Sequence, residues 1–266
     1  MKKIIHVLLK YFRKKVIDIN TAPVELKKLI NKIQAIKTEY ELVRIGSTSD
    51  GGYLLPNDFE NIEAVFSPGV SNIHSFELQM LEKYKVKSFM CDFTVNKIIP
   101  NKKELIFEKK HLGVINNHKF QRLEEWVNLN SKTKNLILQM DIEGAEYSVI
   151  LDTPIEILKK FRIMIIEFHD LDLSFNTQFF EIYSSVINKI LKEFSVVHLH
   201  PNNCCGTFKN KNIEIPKVLE ITFINNDRLS KSKYQKVNYR RHLLDIDNNS
   251  NLPTLEIPKS WYKNEN

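Results

Sequence analysis

The sequence predicts an α/β protein built on an open, mostly parallel sheet. Short apolar runs recur seven times from residue 62 onward, at 64–67, 86–91, 105–107, 136–140, 163–168, 194–199 and 218–224. Each has the length and side-chain character of a buried strand. Between several of them lie windows of helical periodicity, at 76–84, 121–130, 145–151 and 178–192. Strands alternating with helices require crossover connections, and right-handed crossovers join parallel neighbours.

Two helices are expected ahead of the sheet. The first covers residues 3–18. Its apolar stretch at 4–9 is broken by Lys10 and no small-residue cleavage site follows, so it reads as an amphipathic helix rather than a signal peptide. Such a helix would cap the core, contact a second subunit of a homo-oligomer, or touch a membrane surface. The second covers 23–38, with Val24, Leu26, Leu29, Ile30, Ile33 and Ile36 near the helical period, Pro23 in the first turn and Thr21 as its cap. After residue 226 the chain turns polar. Three parts are therefore expected: a helical extension over 1–40, the sheet domain over 41–226, and an arm over 227–266 packed on that domain.

With 266 residues, 42% of them hydrophobic and 27% charged, the chain can bury a core without disulfide or metal staples. Three cysteines, two of them adjacent (Cys204, Cys205), form no even framework and no CxxC pair, which fits reduced thiols in the cytoplasm. No stretch approaches the ~20 apolar residues of a membrane span. The net charge of +7 comes mostly from dispersed lysines, with short clusters at Arg13-Lys14-Lys15, Lys109-Lys110 and Arg240-Arg241. No interleaved aromatic signature accompanies them, which argues against a nucleic-acid partner. The excess suits an anionic substrate such as a nucleotide-linked sugar.

In an open α/β sheet, ligands bind beyond the carboxyl ends of the strands. After the first run comes Ser67-Pro68-Gly69-Val70, where Gly69 lets the backbone approach a ligand; it is neither GxGxxG nor a P-loop. After the second stands Asp92, placed to accept hydrogen bonds from a ribose or to cap a helix. After the fourth comes Asp141-Ile142-Glu143-Gly144-Ala145-Glu146, three carboxylates that repel one another unless capping amides or a cation offset them. Glu143 and Glu146 suit the start of the next helix, whereas Asp141 precedes the turn and points into the cleft. Glu167-Phe168-His169 ends the fifth run, and His198-Leu199-His200-Pro201-Asn202-Asn203 the sixth. Carboxylate and imidazole groups together point to a divalent metal at Asp141, His169 and His198, or to a histidine acting as general base. Histidines that only hydrogen-bond within the core remain the plain alternative.

These strings resemble the FkbM-type methyltransferases. Asp141–Glu146 is similar to the family's "DIEGAE" motif. Arg44-Ile45-Gly46 with Asp50-Gly51-Gly52-Tyr53 resembles "RxG…DGGY", and Ser67-Pro68-Gly69-Val70 with Ser75-Phe76-Glu77 resembles its cofactor loop. Cys91-Asp92-Phe93-Thr94, His111-Leu112-Gly113, Glu167-Phe168-His169, His198–Asn203 and Leu243–Asn249 follow in the family's order. The resemblance runs from about residue 44 to residue 257 and leaves out residues 1–40. Pro68 and Ser71 depart from it, standing where many methyltransferases have glycine.

The resemblance implies a class I methyltransferase, Rossmann-like sheet of seven strands with the last antiparallel. It also implies S-adenosylmethionine as methyl donor and O-methylation of a sugar, either nucleotide-linked or a surface-polysaccharide unit. Ser67, Gly69, Val70 and Glu77 would line the methionine part. Asp92 with Thr94 would hold the ribose, and Leu112-Gly113 would flank the adenine. Arg44, Asp50, Gly51 and Tyr53 would close over the cofactor. Asp141 and His169, with His198 or His200, are expected around the acceptor hydroxyl, holding Mg2+ or Mn2+ if a metal takes part. A lipid or protein acceptor, or a non-catalytic partner subunit, are the rival readings.

Overall fold

Alternation of inward and outward side chains splits the strands between two cores, and this split sets the architecture of the computed structural model. It describes residues 19–262 except 71, 73, 99–101 and 232. The chain runs α1 (Pro23–Lys32), β1 (Leu42–Gly46), β2 (Gly52–Pro56), β3 (Ala64–Pro68), α2 (Ser75–Tyr84), β4 (Lys87–Cys91), β5 (Leu105–Glu108), β6 (His111–Gly113), β7 (Phe120–Arg122) and α3 (Leu123–Asn130). It continues through β8 (Leu136–Met140), α4 (Glu146–Asp152), α5 (Ile155–Leu158), β9 (Phe161–Phe168), α6 (Thr177–Ile190), β10 (Phe194–Pro201), β11 (Thr207–Asn210), β12 (Ile213–Pro216) and β13 (Leu219–Asn225).

The seven expected runs are the seven strands of the central sheet, in the order β10-β13-β9-β8-β3-β4-β5. Strands β3, β4, β5, β8 and β9 pair in parallel. The last strand, β13, lies antiparallel between β9 and β10. From β3 the chain moves outward to β4 and β5, then returns to place β8 on the other side of β3. The crevice between β3 and β8 is thus the switch point at which an open sheet of this kind takes its ligand.

Ala64, Phe66, Leu136, Leu138, Met164 and Ile166 face a core built with α1, α3, α4, α5 and α6. Val65, Ile137, Ile163 and Ile165 face the opposite way, toward α2 and the β1–β2 hairpin, which supplies Ile45, Tyr53 and Leu55. The hairpin therefore roofs one face of the sheet beside the switch point.

Several expectations are corrected. The helix from Pro23 ends at Lys32 rather than 38, because the next residues pair elsewhere: Ile36 bridges Lys236, and Val237 N–H donates to Ala35 O at 2.8 Å. The residue preceding α1 is Ala22, while Thr21 is buried with its hydroxyl unpartnered. The adjacent Cys204 and Cys205 form a disulfide instead of remaining thiols; the turn after β10, where Cys204 N–H donates to Asn202 Oδ1, brings them together. Cys91 is free and buried. The helix expected over 3–18 lies outside the described residues. Among the described residues no helix is long and apolar enough to cross a membrane. The arm after β13 folds back, burying Ile257, Trp261 and Tyr262 in the same core that holds α1. Trp261 Nε1 donates to Glu214 O at 2.9 Å.

One glycine decides how closely the ends of β3 and β8 approach. Gly69 has φ +87°, and a Cβ there would lie 1.5 Å from Asp141 O. Its N–H donates to Cys91 O at 2.9 Å, while Asp141 N–H donates to Pro68 O at 3.3 Å. Gly69→Ala is therefore expected to cost about 2 kcal/mol or more of stability, from strain together with forced separation of the loops. Urea unfolding measures it, and an unchanged midpoint would show that the two strand ends part freely.

Candidate functional site

Strand β8 is buried along its whole length and surfaces at Asp141. The chain then reverses through Glu143 (φ +55°) and Gly144 (φ +100°), both left-handed. Glu146, which has no exposed surface, holds this reversal: its Oε1 accepts from Ile142 N–H at 3.1 Å and from Gly144 N–H at 3.2 Å. The three crowded carboxylates are thereby separated in role. Glu146 turns inward as a brace, the Glu143 side chain is 86% exposed, and Asp141 faces the cleft. Burial pushes the Asp141 carboxyl up to about 7, with His169 opposing the shift and Glu143 and Glu146 adding to it. Its Oδ1 is buried without a hydrogen-bond partner.

His169 follows β9 and is fixed at two points. The Tyr147 hydroxyl donates to its carbonyl, and its Nδ1 lies 3.1 Å from Glu146 Oε1. An ionised carboxylate only accepts, so Nδ1 carries the hydrogen and Nε2 is left for the cleft. Nε2 lies 3.7 Å from Asp141 Oδ1, 3.5 Å from Glu143 Oε2 and 4.0 Å from Glu167 Oε1. Burial alone would lower the imidazole pKa, but the hydrogen bond and charge of Glu146, with Asp141 and Glu143, outweigh it and raise the pKa above the ordinary histidine value.

Six of the residues expected around the cofactor line one cleft. Asp50, Gly51 and Tyr53 come from the hairpin, Gly69 and Val70 from the loop after β3, and Glu77 from the first turn of α2. A buried polar chain crosses its floor: Ser67 Oγ lies between Glu77 Oε1 and Gln139 Oε1, and Gln139 Nε2 donates to Tyr53 Oη at 3.0 Å. Burial raises the Glu77 carboxyl to about 7, against the pull of Ser67. Beyond β4, Asp92 Oδ1 accepts from Thr94 N–H and Oγ1, both at 2.7 Å, so the carboxylate is oriented before any ligand arrives. Leu112 is buried in the main core, and Gly113 lies against Phe120. Arg44 does not reach into the cleft; it braces the hairpin turn, donating to Ser47 O at 3.0 Å and Ser49 O at 3.1 Å. A larger cavity of about 720 Å3, between residues 36–42 and 235–239, is lined by none of these residues.

Residues 12–194, more than half of the chain, match the family model described as the methyltransferase FkbM domain. The chain belongs to the FkbM methyltransferase family. No curated protein and no solved structure matches it. The FkbM match begins well before residue 44, where the motif resemblance starts. It takes in every strand-end loop from β3 to β9 and stops as β10 begins.

Beyond that match, the structure corrects the expected roles of His198 and His200. They share a face of β10, as their spacing requires, but the C-terminal arm occupies that face. His198 Nε2 lies 2.9 Å from Asp245 Oδ1, and His200 Nε2 lies 3.2 Å from Asn248 Oδ1. Asn203 Nδ2 donates to Asn249 O, and Asn249 N–H to Asn203 Oδ1, both at 2.9 Å. Asn248 Nδ2 reaches on to Glu220 Oε1 at 2.7 Å and Asp50 Oδ1 at 3.1 Å. The expected metal set of Asp141, His169 and His198 is accordingly divided: Asp141 groups with Glu143 and His169, while His198 groups with His200 and Asp245. Period-two spacing identifies a shared face but not what covers it. Glu146 as the partner of His169, and Asp245 and Asn248 as partners of the histidines, were not assigned from sequence; the i, i+3 spacing of Asp245 and Asn248 was the available signal.

The arm clasp has a definite pH dependence. Burial would raise the Asp245 carboxyl, yet the hydrogen bond to His198 and the nearby His200 imidazole, its Nδ1 3.5 Å away, hold it far below the usual range. Burial would lower His200, yet Glu220, Asp245 and Asn248 raise it. A depressed acid stabilises above its unfolded pKa, so this contribution fades as pH falls below about 4. A raised histidine stabilises fully below its unfolded pKa of about 6.5 and loses the contribution as pH rises through its folded value. The clasp is therefore tightest between about pH 4 and 6.5. Asp245→Ala, which strands two buried imidazoles, should cost about 3 kcal/mol and open residues 243–249 to protease. Intact digestion kinetics in that variant would refute the clasp.

Proposed function

We propose that this FkbM methyltransferase moves a methyl group from S-adenosylmethionine to a sugar hydroxyl, on a nucleotide-linked sugar or a surface-polysaccharide unit. The observation that carries the reading is the buried Glu146 holding His169 Nδ1, so that Nε2 faces Asp141 at the rim of the cleft. A hydroxyl is a poor nucleophile until a base takes its proton, and an imidazole oriented by a carboxylate suits that task. The same pairing favours a histidine base over a metal-bound alkoxide.

The donor set fits the cofactor. Asp141 Oδ1 is an unsatisfied buried acceptor lining the cleft, suited to the positive charge of a sulfonium compound. Gly69, Val70 and Glu77 would line the methionine part, Asp92 with Thr94 would take the ribose hydroxyls, and Leu112-Gly113 would flank the base. Asp50, Gly51 and Tyr53 would form the roof. S-adenosylmethionine supplies the electrophilic methyl carbon when bound. His169 Nε2 accepts the acceptor's hydroxyl proton, and Asp141 and Glu146 stabilise the imidazolium that results.

His169→Asn should lower kcat by about 10²–10⁴-fold with cofactor affinity retained. Because the base works deprotonated and its pKa is raised, the rising limb of the wild-type rate profile should lie above about pH 6.5. Glu146→Gln keeps an oxygen for the two amides but removes the charge, so that limb should move to lower pH. Near-normal turnover in His169→Asn, or a profile unmoved by Glu146→Gln, would sink the assignment. Asp92→Ala should weaken S-adenosylmethionine binding by about tenfold or more, from loss of hydrogen bonds to a charged acceptor. Calorimetry reads this directly, and equal affinity would remove Asp92 from the cofactor site.

A further inference from the structure

We propose that Asp50, Glu167 and Glu220 form a site for one hard divalent cation such as Mg2+, Mn2+ or Ca2+, adjoining the Asp141–His169 pair, whose imidazole Nε2 lies 4.0 Å from Glu167 Oε1. Glu167 on β9 and Glu220 on β13 are direct cross-strand partners in the antiparallel register. They are 3% and 4% exposed respectively. Two carboxylates directly opposite on neighbouring strands repel, and burial strengthens the repulsion. Asp50 reaches the same place from the turn of the β1–β2 hairpin. One oxygen from each residue lies within 4.8 Å of the others. Oxygens ringing an ion at about 2.0–2.6 Å take up separations of this size.

Within the protein, His200 offsets part of the Glu220 charge and His169 approaches Glu167 Oε1 at 4.0 Å, but the hydrogen bonding of the cluster is incomplete. Glu167 Oε1 accepts from Asn202 Nδ2 at 3.0 Å, but its Oε2 is buried with no partner. Glu220 Oε1 accepts only the neutral amide of Asn248 at 2.7 Å. The Arg44 guanidinium feels the Glu220 charge but makes its hydrogen bonds to the carbonyls of Ser47 and Ser49. Among the described residues no lysine or arginine forms an ion pair with any of the three acids. An all-oxygen set without thiolate or imidazole selects hard ions over zinc or copper. Access exists, because exposed Asp50 also lines a shallow cavity of about 280 Å3 with Asn202, Asn248 and Ser250.

An ion here would tie the hairpin turn to the sheet. Since Asp50 also roofs the cofactor cleft, cation and cofactor binding would be coupled. The ion would also offset an acidic wall that otherwise repels a phosphate-bearing acceptor.

The test uses the full chain freed of metal by chelator, titrated with Mn2+ and followed by the loss of the free-ion paramagnetic resonance signal. One equivalent should bind. Glu220→Gln and Asp50→Asn should each weaken it by at least about tenfold. His169→Asn removes a group 4.0 Å from Glu167 but no proposed ligand, so one equivalent should still bind. Mn2+ should raise the Tm of the wild type and not that of Glu220→Gln. Glu220→Gln relieves a repulsion, so it is expected to fold; Asp50→Asn, on an exposed turn, repeats the test independently. No Mn2+ uptake by the wild type would overturn the site and leave a shared proton as what holds the two glutamates. Uptake that survives both carboxylate variants but is lost in His169→Asn would equally overturn it.

Discussion

Glu146 accepts hydrogen bonds from the turn after β8 and holds the imidazole after β9, so two neighbouring strand ends are organised around one buried anion. A carboxylate without exposed surface is costly to desolvate and persists only where donors surround it. Here all the donors meet Oε1, from the turn and from the imidazole, while Oε2 is buried without a partner. The turn and the imidazole thus share one carboxylate oxygen. Asp141 is left at the edge of this arrangement with an unused oxygen facing the cleft.

The central sheet was legible because its signal is local. Each strand announces itself as a short apolar run, and each crossover helix by its own period, so all seven strands emerged from the sequence. Elements defined by pairing were less visible. The β1–β2 hairpin carries Gly46, Gly51 and Gly52 and reads as a glycine-bearing stretch, because its apolar residues meet their partners only once it roofs the sheet. Helix α1 stops early for a similar reason: Ala35 O accepts from Val237 N–H on an arm two hundred residues away, and Ile36 N–H donates to Val196 O on β10. In the site, the strand ends bearing Gly69, Asp92, Asp141 and His169 followed from topology. The division of labour among Asp141, Glu143 and Glu146 also followed in outline, since only one of three adjacent carboxylates precedes the turn. What escaped was the destination of His198 and His200, which depends on a tail with no periodicity of its own.

Charge shows the same contrast between global and local quantities. The chain carries a formal charge of +7, yet Asp50, Asp141, Glu143, Glu167 and Glu220 gather around the strand ends. Dispersed surface lysines are screened over about 8–10 Å at ordinary ionic strength. Glu167 and Glu220 are buried and Asp141 is largely so, so their charge is screened far less. An anionic group entering the cleft must lie away from these acids or be neutralised.

The clasp between β10 and the arm also orders events in time. Asp50, which roofs the cleft, is held through Asn248, 198 residues further along the chain, and Asn248 is steadied by His200. A ribosome delivers these residues in sequence, so the parallel strands can assemble while the hairpin turn still lacks its tether. The nascent chain would pass through a stage with a formed sheet and a half-built pocket. The wall of the cleft would be complete only once Asn248 has reached Asp50.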